Sequence, residues 1–175
     1  DTPGVDGFGV RMLAPTLLQA ASEEIKKEFL PPIAAAKVMW CEPWSEPDAG
    51  SDLAALTSTA IRKGDEYVIN GQKTWTTGAH RADWGFGVFK TDPAARKHHN
   101  LSFLLFDMKT SGITVKPIPY MHGGYIYCEV YFDDVHVPAR NIVGQENEGW
   151  AVVNLLAGFE RSGIDQIMRM LQGLE

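Results

Sequence analysis

Hydroxyls, indoles and acids concentrate in two short stretches, WSEPDAGSD (residues 44 to 52) and KTWTT (residues 73 to 77). In the first, Ser45 and Ser51 carry hydroxyls, Gly50 permits a sharp bend with close backbone approach, and Pro47 stiffens the entry. Such a loop can turn several backbone N–H groups and hydroxyls toward one planar or anionic ligand. The same residues equally suit an ordinary turn in which Ser45 and Ser51 cap neighbouring backbone groups. On these residues alone both readings stand.

Other chemistries fit less well. The five histidines, His80, His98, His99, His122 and His136, never fall at a metal-binding spacing with carboxylates or thiolates, so no metal site is expected. Gly-Ser-Asp-Leu-Ala around Ser51 lacks the second glycine of a nucleophile elbow, and Asp52 is poorly placed to act as base for its own neighbour. No GxGxxG joins a strand to a helix. A formal charge of −6 and a pI near 5.3 argue against a nucleic-acid or anionic-membrane binder, so any anionic ligand must be met by local donors. Cys41 and Cys128 lack CxxC spacing, which points to a reduced, cytoplasmic setting. No apolar run approaches the ~20 residues of a membrane span, and the acidic start has no signal-peptide pattern. The opening DTPGVDGFG reads as a loop entered midway, as in a fragment of a longer chain.

The elements that must position these stretches follow from hydrophobic period. Residues 8 to 37 read as helical, with Leu17, Leu18, Ala21, Ile25 and Phe29 near one face. Ser22 followed by Glu23 and Glu24 suits an N-cap that separates two helices, and Pro31-Pro32 should stop or kink the second. From residue 38 the pattern becomes short β-prone runs: VMWCEPW, TSTAIR, EYVIN, KTWTT, WGFGVFK, LSFLLFD, ITVKPIP and IYCEVYFDDVHV. This spacing predicts an antiparallel sandwich or barrel. Asn70-Gly71 is expected to form a type I′ hairpin turn that folds EYVIN back onto QKTWTT, and DPAARKHHN (residues 92 to 100) to form a polar hairpin loop. After Gly149, Val152, Val153, Leu156, Phe159, Ile164, Ile167, Met168 and Leu171 predict a long amphipathic helix. Its apolar stripe over residues 150 to 171 should drive association unless something covers it. The fold class is therefore α+β: an antiparallel β-barrel or sandwich flanked by helices of a preceding and a following helical domain.

Taken in order, CEPWSEPDAGSDLAAL, VINGQKTWTTGAHRADW, MHGGYIYCEVYFDDVHVPARNIVGQENEGW and the helix with FERSGI resemble the successive signatures of the acyl-CoA dehydrogenases. The likeness is greatest to the bacterial and ACAD-10/11-like branches and covers essentially all 175 residues. It implies a last piece of an N-terminal helical domain at 1–37, a middle β-domain at 38–146, and the first helix of a C-terminal bundle at 147–175. It also implies FAD, an acyl-CoA substrate, electron-transfer flavoprotein as partner, and a homo-oligomer, tetramer or dimer, when complete. By resemblance, Trp44 and Ser45 bond the pyrimidine side of the isoalloxazine, Trp75 covers one flavin face, and the Thr77 hydroxyl reaches toward the reducible nitrogen. Ser51 touches the acyl-CoA near its pantetheine, and Arg161 contacts the CoA portion. Asp48 stands where most relatives have glycine, which questions the bend of the loop.

The implied reaction is α,β-desaturation of a thioester, in which a carboxylate takes the α-proton while the β-carbon passes hydride to flavin. An ordinary carboxylate near pH 4 is a weak base for such a C–H, and each unit of mismatch is worth about 1.4 kcal/mol. Burial of the base and hydrogen bonds to the thioester carbonyl narrow the gap from both sides. Glu160, immediately before Arg161, occupies the position used for the base by a minority of the family; most use a glutamate farther downstream. A noncatalytic flavin- or CoA-binding subunit, and an oxidase or monooxygenase on the same fold, are the alternative functions.

Overall fold

The computed structural model describes residues 7–161. A wide-turn π-helical segment, Gly7–Leu13, runs directly into α1, Ala14–Ala20. Ser22 then caps α2, Glu23–Ala34: Ile25 N donates to its hydroxyl at 3.3 Å, and Glu23 and Glu24 lie beside the positive end of the helix dipole. Ile25, Phe29 and Ile33, each four residues apart, form the buried side of α2. Leu17 is buried as its spacing predicts, but Leu18 is 59% exposed. Ala21 is extended (φ −88°, ψ 158°), so the helical phase resets there and one periodicity cannot be carried across both helices.

Pro31 and Pro32 do not stop α2, which continues to Ala34. Each lacks its own N–H but keeps its carbonyl, and in the last turn those carbonyls close the helix: Ala35 N donates to Pro31 O at 3.0 Å and Lys37 N to Pro32 O at 2.9 Å.

The strands are β1 (Trp40–Cys41), β2 (Thr59–Lys63), β3 (Glu66–Thr77), β4 (Trp84–Lys90), β5 (Leu101–Asp107), β6 (Ile113–Pro117), β7 (Tyr127–Pro138) and β8 (Ile142–Val143). They form one eight-stranded sheet in the order β6-β7-β3-β2-β4-β5-β8, with β1 on β4. Most pairs are antiparallel, but β1 and β2 both meet β4 in parallel, through Trp40↔Trp84 and Thr59↔Lys90. The β-domain expected from the run spacing is therefore present, as an open sheet rather than a closed barrel.

Asn70-Gly71 is not a hairpin turn. The β2–β3 turn is Gly64-Asp65, between paired Lys63 and Glu66, with Gly64 at φ 64°. β3 runs straight through Asn70 and Gly71 because it is paired on both sides, Asn70 with Thr59 and Gly71 with Phe132. The register against β7 shifts between Ile69 and Gly71, which is a bulge. Asn70 pins it: its Nδ2 donates to Asp134 Oδ1 at 3.0 Å, and its Oδ1 accepts from Asp134 N at 2.9 Å. Gly71 has φ 142°, and a Cβ there would strike the Ser58 side chain and Cα. Local turn chemistry was thus a bulge signal, and tertiary pairing decided which.

The sheet has apolar side chains on both faces. Phe103 and Leu105 of β5 join Phe86, Val88, Leu17, Phe29 and Ile33 on the helix side, while Leu104 and Phe106 join Tyr67, Ile69, Phe89, Val130 and Phe132 on the other. This explains why LSFLLFD reads as a continuous apolar run. α3, Gly149–Arg161, lays Val152, Val153 and Leu156 into the helix-side cluster, a burial worth roughly 1.5–3 kcal/mol per side chain. Over this stretch the stripe is covered by the chain itself, not exposed. Ile164, Ile167, Met168 and Leu171 lie outside the described residues. Among the described residues no helix is long and apolar enough to cross a membrane.

Candidate functional site

The two polar stretches are joined by one buried cation. Lys73, on β3, has no exposed side-chain surface, and its Nζ donates to Trp44 O, Glu46 Oε1 and Val88 O, each at 3.0 Å. Glu46 accepts in addition from Thr57 N (2.6 Å), Thr57 Oγ1 (2.7 Å) and Ser58 N (2.9 Å). Burial alone would raise the Glu46 carboxyl, but the Lys73 charge and these bonds outweigh it and hold it at about 2. Burial pulls the Lys73 ammonium down to about 8 against the charge of Glu46. Thr74 N donates to Ser45 O at 2.8 Å, so backbone as well as side chain ties the segments together.

β3 then breaks register a second time, between Lys73 and Thr76. Trp75 sits in this bulge at φ 59°, a left-handed conformation that costs a non-glycine residue of order 1–2 kcal/mol. The consequence is directional: Thr74 and Thr76 stay buried while the Trp75 ring is thrown out, 60% exposed. Tyr127 of β7 meets it edge-on, with ring centroids 6.0 Å apart.

Trp44, Ser45, Trp75, Thr77 and Glu160 line one pocket of about 220 Å³, completed by Phe8, Glu42 and Thr74. A second pocket, lined by Gly7, Phe8, Arg11, Met12, Phe159 and Glu160, shares Phe8 and Glu160 with the first. Glu160 therefore stands where the two meet. The structure does not bring Ser51 or Arg161 into the first pocket: Ser51 is exposed beyond the turn, and Arg161 is exposed at the last described turn of α3.

The turn itself spans Glu46 to Ala49, with Glu46 N donating to Ala49 O (2.8 Å) and Ala49 N to Glu46 O (3.1 Å). Asp48 is not among the positive-φ residues, so no glycine is needed there and the bend is intact. Gly50 also lacks positive φ, and a Cβ on it would meet nothing within 4 Å, so its expected close approach is not realised among the described residues.

Glu42, like Lys73, is a residue of the site that the sequence does not single out. Its Oε1 is buried with no hydrogen-bond partner among the described residues, and the carboxyl is pushed up to about 8, first by burial and then by the charge of Glu160. The Trp44 Nε1 is likewise buried and unpartnered. The only sequence signal was the doubled Glu-Pro of EPWSEP, of which one copy proves to face the pocket.

Residues 41–135 match the family model described as acyl-CoA dehydrogenase, middle domain. The chain belongs to the acyl-CoA dehydrogenase family. Among its relatives is the acyl-CoA dehydrogenase IpdE1 of Mycobacterium tuberculosis, 40% identical over 157 residues, a match covering 90% of this chain and 41% of that protein. The chain thus spans about two fifths of the length of the curated relatives it matches. Solved structures share the fold, two of them as follows. The ChsE4-ChsE5 complex from Mycobacterium tuberculosis has a TM-score of 0.81 at 38% identity, covering 88% of this chain and 40% of that one. PigA with FAD and proline has a TM-score of 0.80 at 27% identity, covering 87% and 40%.

For an acyl-CoA dehydrogenase fold, the pocket's donor set suits a flat heterocycle. It offers the hydroxyls of Ser45 and Thr77, the carboxyl of Glu42 and the exposed ring of Trp75.

Proposed function

We propose that this chain is the middle β-domain, residues 38–146, of an FAD-dependent acyl-CoA dehydrogenase, with 1–37 contributed by the preceding helical domain and 147–175 by the following one. The observation that carries the reading is the convergence of Trp44, Ser45, Trp75, Thr77 and Glu160 on one pocket, with the two motifs clamped by Lys73. FAD bound there would supply a hydride acceptor for the β-carbon of an acyl-CoA thioester. Trp44 and Ser45 would hold the pyrimidine edge of the ring by backbone and hydroxyl bonds, Thr77 would offer its hydroxyl to the ring's reducible side, and Trp75 would cover a face and keep water from it. Glu160, at the junction of the two pockets, takes the α-proton of the acyl chain. Ser51 and Arg161, both outside the pocket, serve the pantetheine and nucleotide portions of CoA.

The same reading makes the complete protein an oligomer that hands its electrons to electron-transfer flavoprotein; the assembly of ChsE4 with ChsE5 supports the first part. Two buried cysteines that form no disulfide, Cys41 and Cys128, support a cytoplasmic setting. The test is Glu160→Gln in the full-length protein. Anaerobic acyl-CoA should bleach the visible flavin band of the wild type and leave that of the variant unchanged. Equal bleaching of both would remove Glu160 from the mechanism.

A further inference from the structure

The pocket contains a second carboxyl for which the roles above have no use. Glu42 lies three residues before Ser45, across a tight turn in which Trp44 N donates to Glu42 O at 3.1 Å, and its Oε1 is buried without a hydrogen-bond partner among the described residues. A carboxylate with one oxygen so placed would carry a poorly solvated charge, which proteins avoid by keeping the proton. Among the described residues no cation offsets it, burial and the like charge of Glu160 being what acts on its carboxyl. The first helical segment contributes Phe8, β3 contributes Thr74, Trp75 and Thr77, and α3 contributes Glu160, a charge of the same sign. Lys73 turns its ammonium to Trp44 O, Glu46 and Val88 O instead, and Arg11 lines the adjoining pocket with Glu160.

We propose that Glu42 is a positioning residue of this pocket: its neutral carboxyl donates a hydrogen bond to a carbonyl or ring-nitrogen acceptor of the flavin. This rests on the flavin reading given above. Glu42 shares the pocket edge with Trp44 and Ser45, which face the same acceptor-rich side of that ring, and a protonated acid adds the donor that a lone pair on the ligand requires. Burial and the like charge of Glu160 both favour the protonated form, so the donor persists through neutral pH and is lost as pH rises through about 8.

The test uses apoprotein of the full-length chain, reconstituted with FAD, with Kd followed by flavin fluorescence from about pH 6 to pH 9.5. For the wild type, Kd should be constant up to about pH 8 and then rise about tenfold per pH unit, because one proton is linked to binding. Glu42→Gln keeps an N–H donor and cannot ionise, so its Kd should stay flat across the range and within a few-fold of the wild-type value at pH 7. An infrared difference spectrum of the wild type, needing no variant, should show the carbonyl stretch of a protonated carboxyl shifting when FAD is added. The same pH slope in Glu42→Gln would assign the titration elsewhere and would overturn the proposal. So would the absence of a shifted carboxyl band. A wild type that binds no FAD at any pH would instead overturn the flavin reading, and this inference with it.

Discussion

Replacing Lys73 with methionine removes the cation that joins WSEP to KTWTT while roughly preserving volume. Glu46, whose side chain is only 4% exposed, then keeps its charge in the interior with no counter-ion. Breaking a buried pair in this way costs about 3–5 kcal/mol, and the carbonyls of Trp44 and Val88 each lose a donor, worth about 1 kcal/mol net. Three remaining donors to Glu46, from Thr57 N, Thr57 Oγ1 and Ser58 N, offset part of that cost. We therefore expect a loss of about 4 kcal/mol, close to a thousandfold in the unfolding equilibrium. Urea unfolding at pH 7 should show it as a lower midpoint at unchanged slope. Lys73→Met combined with Glu46→Gln removes the stranded charge and should recover about 2–3 kcal/mol, a coupling that a double-mutant cycle reads directly. A loss below 1 kcal/mol for the single variant, or additive losses in the double, would refute the reasoning that one ion pair sets the relation of the two motifs.

Glu46 also predicts acid sensitivity. Its folded-state value of about 2 lies below the ordinary 4.5, so the folded chain binds fewer protons between those values. Its contribution of about 3 kcal/mol is present above pH 4.5 and lost as pH falls toward 2, and Glu46→Gln should flatten the stability–pH curve over that window. Gly71→Ala should destabilise by about 3 kcal/mol, seen as a lower Tm, since it forces a methyl onto Ser58 at φ 142°. Ser58→Gly in the same chain should return part of that loss.

Much of the fold could be read from local signals. Ser22 with its following acids marked a helix start, and period-2 runs marked the strands, because capping and pleat are short-range effects. Leu18 and Pro31-Pro32 misled for a related reason: a phase reset at Ala21 and a proline in a last helical turn leave no trace in composition. Asn70-Gly71 misled because its backbone preference fits both a tight turn and a bulge, and only the pairing of β3 with β2 and β7 chooses. Within the candidate site, the hydroxyls and indoles stood out by type, whereas Lys73 and Glu42 did not. Their roles depend on burial and on distant atoms, Val88 O for one and, for the other, an Oε1 that no described residue bonds.

The measurement that bears most directly on the central claim is the visible spectrum of the full-length protein under anaerobic acyl-CoA titration. A bound flavin is expected, whose band bleaches in the wild type and persists in Glu160→Gln. A protein without bound flavin, or one whose flavin ignores acyl-CoA, would contradict it.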